Sequence, residues 1–401
     1  MEGPLSMGQR LLDATPTHFP SVDDHIGDRN DERNSSLQTT VWARIGDLLN
    51  GAPHRVVADF GGEFRLRADL TECVLRISEI VAAEPQVISN ALSGMIAGGK
   101  RLRPLFVLAT TYAAMGDQDP RTRNRAVQSG VVVELLHLAS LVHDDVMDES
   151  MTRHGVASVN ARAGNIGAVL AGDYLLAEAL CLGCDLGLAE GVVAARTFTR
   201  LCEGQAQESA TLFDPGRTEN AYFTAIAGKT GALFETACRL GAMAAGLPAD
   251  STTALAEYGL RLGVAFQLAD DLLDITASAG ALGKPVGHDI VEGVYTFPVL
   301  RAMREDPRLR QVLQSADRED AAAAALGIIR GSDALAATRQ EMARWSGRAV
   351  ASLSGAEGDL GEAGIAMLTD LASALVRPWP ASASIPGSAS RPADQTDQTL
   401  W

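Results

Sequence analysis

The sequence predicts an all-α protein, and three observations carry that expectation. Apolar residues recur at helical spacing through most of the chain, in stretches rich in Ala, Leu, Gly and Glu. No run of alternating β-branched residues is bracketed by hairpin turns, as a sheet would require. The breaks fall where helices stop, at Gly98-Gly99, Asp214-Pro215-Gly216 and Gly246-Leu247-Pro248. With 401 residues, 46% of them hydrophobic, the chain can bury a large core. The spacing places helices over roughly 64–83, 86–97, 104–116 and 122–148, then 165–185, 188–212, 219–246 and 251–277. Shorter helices fill the remainder to about residue 376. Residues 1–40 are polar and aperiodic and read as a disordered leader. Residues 41–63 hold an extra amphipathic stretch, VWARIGDLLN, before a Gly-Ala-Pro break, and 377–401, rich in Pro, Ser and Ala, read as a disordered tail.

A net charge of −16 argues against a nucleic-acid partner, whose phosphates demand a basic surface. A diphosphate ligand remains compatible, provided the few cations converge or metal ions intervene. No basic segment leads into an apolar stretch at the start, and no uninterrupted apolar run reaches about 18 residues. The chain therefore reads as soluble and cytoplasmic, without a transmembrane span, which leaves room for peripheral membrane contact during product release. Its five cysteines are odd in number and scattered, as suits a reducing compartment. Cys181 and Cys184, three apart on one helical face, are expected to be buried and inert rather than a zinc or redox pair.

The chemistry concentrates at two acidic motifs. The apolar segment VVVELLHLASLVHDD runs into DDVMDES, where Asp144 and Asp148 sit four apart and project from one helical face. Two like charges there repel unless cations lie between them. Magnesium suits the place, because it takes one or two carboxylates and leaves other positions to phosphate oxygens and water. Asp145 points elsewhere and is expected to support the pair from behind. Arg153, five residues past Asp148, could hold a diphosphate that such metals bridge. In YGLRLGVAFQLADDLLD the pattern repeats: Asp270 and Asp274 are again four apart at the end of an apolar helix, with Gln267 on the same face. Two facing carboxylate pairs around one cavity would hold a metal cluster, as helix bundles do.

The cations fall between and around these motifs. In AGGKRLRP, Lys100, Arg101 and Arg103 follow a flexible Gly pair, and Pro104 opens the next helix, a pattern suited to anion binding at a helix start. Lys229 and Thr230, in AGKTGALF, put a cation and a hydroxyl among small and apolar residues, where a buried lysine needs an anionic partner. Lys284, in LGKPVGHDI, follows the second acidic motif on a loop. His137 lies two helical turns before Asp144 and shares its face.

Together GGKRLRP, LVHDDVMD with Arg153, GKT, and LGVAFQLADDLLD with GKPVGHDIVEG resemble the ordered motif set of the trans-isoprenyl (polyprenyl) diphosphate synthases. The likeness spans roughly residues 64–376. It implies an all-α isoprenoid synthase helical bundle, usually a homodimer, with a central substrate cavity. It implies Mg2+ held by Asp144 and Asp148 on one side and by Asp270 and Asp274 on the other. The allylic diphosphate would be gripped by those metals with Arg153, Lys229, Thr230, Gln267 and Lys284. Lys100, Arg103 and His137 would bind isopentenyl diphosphate. Two positions depart from the family pattern. His154 stands where a second Arg usually contacts isopentenyl diphosphate, and Glu292-Gly293-Val294 replaces the family's EGK.

In this family, bulky residues four or five positions before the first Asp stop product growth. Here these are Ser140 and Ala139, both small, which implies a medium- or long-chain all-trans product, with geranylgeranyl or farnesyl diphosphate as the shorter alternatives. A terpene cyclase or a squalene-synthase-like enzyme would lack the GGKRLRP loop. A non-catalytic partner subunit of a heteromeric synthase would generally lose aspartates, and none is lost here.

Overall fold

A computed structural model describes residues 63–82, 86–96, 99–114, 119–153, 156–277, 286–315 and 317–376. The expected leader, the VWARIGDLLN stretch, the tail, and the individual positions His154 and Lys284 lie outside these residues. The helices are α1 (Glu63–Ala82), α2 (Gln86–Ile96), α3 (Leu102–Ala114), α4 (Pro120–Met147), α5 (Val159–Leu186) and α6 (Leu188–Ser209). They continue as α7 (Glu219–Ile226), α8 (Ala232–Ala244), α9 (Ala249–Thr276), the short α10 (His288–Val291), α11 (Phe297–Glu305) and α12 (Arg308–Val312). The series closes with α13 (Arg318–Arg330), α14 (Ala334–Ser352) and α15 (Glu357–Leu375). The expected all-α class stands. The single sheet among the described residues is a hairpin of two-residue strands, Thr152–Arg153 and Val156–Ala157.

The bundle is organised on α4. Asp119 caps it by accepting the amides of Arg121 and Thr122, and Pro120 takes the first position, where a missing N–H costs nothing. Its residues between Ala126 and Val142 are mostly buried, against α1, α3, α5 and α8. The packing ends at the last turn, where Asp144 is half-buried and Met147 and Asp148 are exposed. Helix α9 is the counterpart: it packs against α8 and α14, is buried at Leu262, Val264, Ala265 and Leu268, and ends beyond Asp274. A second apolar cluster surrounds its C-terminal half and includes Phe297, Leu300 and Ile329.

Three expectations need correction. The single helix expected over 219–246 is interrupted, because Ala227–Gly231 form a π-helical turn between α7 and α8. Helix α5 begins at Val159 rather than near residue 165, with Gly164 (φ 70°) bending it where the sequence suggests a start. Cys181 and Cys184 are exposed, not buried, while Cys73 and Cys238 are buried. Helix α5 packs against α2, α4 and α6, and these leave part of its apolar surface exposed, including Ile166, Val169 and Leu170. Among the described helices, α4 and α5 are long and apolar enough to cross a membrane, and the most apolar part of α5 is only 33% buried.

One buried ion pair fixes the loop before α3. Arg101 adopts a left-handed backbone (φ 51°) and meets Glu134 of α4 at 2.6 Å, both side chains being almost fully buried. It also donates to the carbonyl of Ile96. Arg101→Ala would strand Glu134 without a counter-charge, and we expect a loss of about 3–5 kcal/mol in chemical denaturation. The pairwise replacement Arg101→Met with Glu134→Leu should lose much less. Equal losses would mean that the pair does not hold the loop.

Candidate active site

The first acidic motif ends α4. Asp148 is its C-cap, donating its amide to the Asp144 carbonyl at 2.8 Å. Burial pushes the Asp144 carboxyl up to about 6; Lys229 opposes the shift, Asp148 adds to it, and Arg153 and Glu208 act more weakly in opposite senses. Asp148, exposed at the helix end, is also raised by lost hydration, against Lys229, with Glu292 and Glu208 adding to the rise. For both carboxylates lost hydration outweighs the nearby cations Lys229 and Arg153. The neighbouring Asp145 is fully buried, as its expected supporting role requires. It accepts Arg153 Nε and Nη2 at 2.8 Å, and its carbonyl accepts Asn160 Nδ2 at 3.2 Å. Arg153 is therefore anchored from behind the motif.

Lys229 lies in the π-helical turn. Its Nζ is 2.5 Å from Glu208 Oε1, at the end of α6. Burial works against the ammonium, but Glu208, then Asp144 and Asp148, overcome it and raise its pKa. Two glycines bring this turn onto α6. A Cβ on Gly204 would meet the Lys229 amide nitrogen at 2.4 Å, and one on Gly228 would meet Gly204 Cα at 2.9 Å. Only backbone fits between the two segments.

From the same turn, the contacts run to the second motif. Thr230 Oγ1 donates to Gln267 Oε1 at 2.7 Å, and Gln267 Nε2 donates to Asp271 Oδ1 at 3.0 Å. Asp271 also accepts the Tyr222 hydroxyl. Burial drives the Asp271 carboxyl up to about 7, although the Tyr222 and Gln267 hydrogen bonds act against the rise. Gln267 thus serves Asp271 as well as lying near Asp270, the residue expected from its spacing. Asp274 is pushed up to about 6, first by burial. It accepts the backbone amides of Asp289 and His288, so its carboxylate also caps α10. Asp270 is exposed, and its charge reaches Lys100, whose own pKa is lowered by lost hydration while Asp270 pulls it back. The loop before α3 and the end of α9 are therefore neighbours.

Arg103 stands 5.6 Å above the Phe234 ring, and its Nε has no hydrogen-bond partner. Burial lowers its pKa to about 10, Glu134 opposing. A guanidinium with an idle donor can take an anion. Arg101, grouped with these cations in the sequence, is committed to Glu134 instead. His137 is half-buried on α4, and its carbonyl accepts Ser140 Oγ at 2.8 Å. Ala139 is fully buried.

Glu208, Asp271, Tyr222 and Arg217 were not singled out by sequence. Arg217 is buried and donates from Nη1 to the Tyr295 carbonyl at 3.1 Å, while its Nε and Nη2 have no partner and its charge faces Glu208 and Asp271. The only signal for Asp271 was its place inside the second Asp-Asp pair; Glu208 and Arg217 carry no spacing that marks them. Among the described residues no three His, Cys, Asp or Glu side chains converge into a closed metal cage. Magnesium suits this donor set nonetheless: each motif offers carboxylates raised chiefly by burial, and the ion would draw its remaining oxygens from phosphate and water.

The sequence pattern of the polyprenyl synthetase family matches residues 85–327. The chain is 37% identical over 308 residues to the nonaprenyl diphosphate synthase of Mycobacterium tuberculosis, covering 74% of this chain and 91% of that protein. It superposes on the crystal structure of a decaprenyl diphosphate synthase from Rhodobacter capsulatus with a TM-score of 0.70 and 30% identity, covering 81% of this chain and 98% of that one. The geranylgeranyl pyrophosphate synthetase from Pyrococcus horikoshii gives a TM-score of 0.68 and 29% identity, covering 80% and 98%.

The raised Asp271 has a stability consequence. Between its ordinary value of 3.8 and about 7, the folded chain keeps a proton that the unfolded chain releases. Stability from this group is therefore greatest at low pH and falls as pH rises through that window. Asp271→Asn should flatten the decline of the metal-free melting temperature across it. An unchanged slope would mean that Asp271 titrates normally.

Proposed function

The chain belongs to the polyprenyl synthetase family and is a prenyltransferase, and on that premise we propose that it condenses isopentenyl diphosphate with an allylic diphosphate in repeated head-to-tail additions to a medium- or long-chain all-trans product. The observation that supports this most is that two acidic helix ends meet across adjacent residues, Lys229 and Thr230. Asp144 and Asp148 on one side, and Asp270 with Asp274 on the other, would hold Mg2+. Bound there, the metal supplies electrostatic stabilisation of charge on the departing diphosphate.

The chain's own residues do the rest. Lys229, Thr230, Gln267, Arg153 and Lys284 would orient the allylic diphosphate, and Lys100, Arg103, His137 and His154 the diphosphate of isopentenyl diphosphate. The allylic C–O bond breaks with its electron pair leaving on the diphosphate. The isopentenyl double bond, held close, attacks the resulting cation, and a proton passes to the released diphosphate. No side-chain nucleophile is needed. The apolar helices keep water from intercepting the cation.

Long product chains are favoured by Ala139 and Ser140 on α4 and by the similarity to nonaprenyl and decaprenyl diphosphate synthases. The equally similar geranylgeranyl synthetase keeps a shorter product in contention. We further propose a cytoplasmic homodimer. Its supporting feature is the uncovered apolar face of α5, with Ile166 81% and Leu170 56% exposed.

Incubation with Mg2+, radiolabelled isopentenyl diphosphate and farnesyl diphosphate should give a product longer than geranylgeranyl on chromatography. Asp144→Ala should abolish elongation, and Ser140→Phe should shorten the product. No elongation from any allylic primer would remove the synthase reading; unchanged length in Ser140→Phe would remove the chain-length role. Light scattering should give a dimer mass that Ile166→Glu with Leu170→Glu reduces to a monomer. A monomeric parent would remove the dimer.

A further inference from the structure

We propose that Glu208 is an internal substitute for the substrate's diphosphate: it holds the Lys229 ammonium until that group displaces it, and so sets the site's affinity for diphosphate. The inference rests on the reading of Lys229 as a diphosphate contact.

The geometry carries it. Glu208 Oε1 lies 2.5 Å from Lys229 Nζ, and its carboxylate bears more strongly on the ammonium than Asp144 or Asp148 does. The contact is built in, because the π-helical turn and α6 touch backbone to backbone at Gly204 and Gly228. The Glu208 side chain is only 13% exposed, so the pair is partly withdrawn from water and its attraction is not fully screened. The neighbourhood also carries too much negative charge. Asp144, Asp148, Glu208 and Glu292 act here against Lys229, Arg153 and Arg217, of which Arg153 already serves Asp145 and Arg217 is shared with Asp271.

A metal-bridged diphosphate entering this place needs the ammonium that Glu208 occupies. Glu208 is tethered at the end of α6 and cannot leave the site when it gives up the ammonium. It must release Lys229 and remain nearby as a repelling charge. Every diphosphate bound at Lys229 therefore competes with a tethered carboxylate. Such a competitor weakens binding of the arriving substrate and, by the same amount, of the diphosphate left behind after each addition. Repeated elongation requires that this by-product leave.

Glu208→Gln keeps the shape and an oxygen that can accept from Lys229, but removes the charge. Calorimetry on the full chain with Mg2+ and inorganic pyrophosphate should find it binding roughly fivefold or more tightly, the usual size of one partly buried charge interaction. The KM for the allylic diphosphate should fall with it. Glu208→Ser, which also removes the charge, should move binding in the same direction, and melting curves confirm that each variant is folded. Unchanged or weaker pyrophosphate binding overturns the proposal. So does a raised Mg2+ requirement in Glu208→Gln, which would make Glu208 a metal ligand. Lys229→Met separates the two layers. It should weaken pyrophosphate binding and abolish the gain from Glu208→Gln. If Lys229→Met alone leaves binding unchanged, the Lys229 contact itself is wrong and the proposal falls with it; if it weakens binding while Glu208→Gln has no effect, only the role of Glu208 falls.

Discussion

Carboxylates brought together at the ends of apolar helices must find positive charge or take up protons, and most of the site is arranged around that constraint. Asp144, Asp271 and Asp274 all stand well above the ordinary carboxylate value because burial outweighs the partners each has. The protein supplies some compensation itself: Lys229 to the first motif, Lys100 to the second, and backbone amides to Asp274. What remains is an unmet demand for cations on both sides of Lys229 and Thr230. The metal–diphosphate complex proposed above would meet that demand. Metal affinity built on carboxylates that hold protons to about pH 6 also weakens in acid, since ligation needs the ionised form.

The scaffold's part is to make these approaches close. Helix α4 is packed on nearly every face from Ala126 to Val142 and opens to solvent at its acidic end, and α9 does the same from the other side. The π-helical turn then places Lys229 and Thr230, adjacent in sequence, toward α6 and α9 respectively. An unbroken α-helix advances about 100° per residue, and the extra residue in a π turn changes that phase locally. Glycine at 204 and 228 lets the turn sit against α6 without a side chain between them.

Much of this was legible in the sequence, and the limits have physical causes. The helices and their breaks followed from periodicity and from Gly and Pro. The i, i+4 carboxylate pairs followed from helical geometry. Spacing could not reveal which charges cancel across space: Arg101 read as one of three anion-binding cations, yet Glu134, 33 residues later in sequence, takes it. Glu208 and Arg217 belong to no local pattern, and only the packing of α6 against the turn gives them a role. The π turn was hidden because AGKTG scores as ordinary helix on either side. The cysteines of α5 were misjudged because an apolar helix face reads as buried whether the covering surface belongs to this chain or to another.

The two acidic motifs share a division of labour that their shared spelling explains. Successive helical residues point about 100° apart, so an Asp-Asp pair cannot present both carboxylates to one place. In the first motif Asp144 faces the cations while Asp145 turns inward and anchors Arg153. In the second Asp270 is exposed toward Lys100 while Asp271 turns inward and takes Tyr222 and Gln267. Each inward aspartate fixes a residue proposed to contact the allylic diphosphate, Arg153 in one case and, through Gln267, Thr230 in the other. The supporting role expected of Asp145 behind the first pair thus has a counterpart in the second motif, where Asp271 turns inward in the same way. That arrangement ties each inward aspartate to protein donors before any substrate arrives, Asp145 to Arg153 and Asp271 to Tyr222 and Gln267.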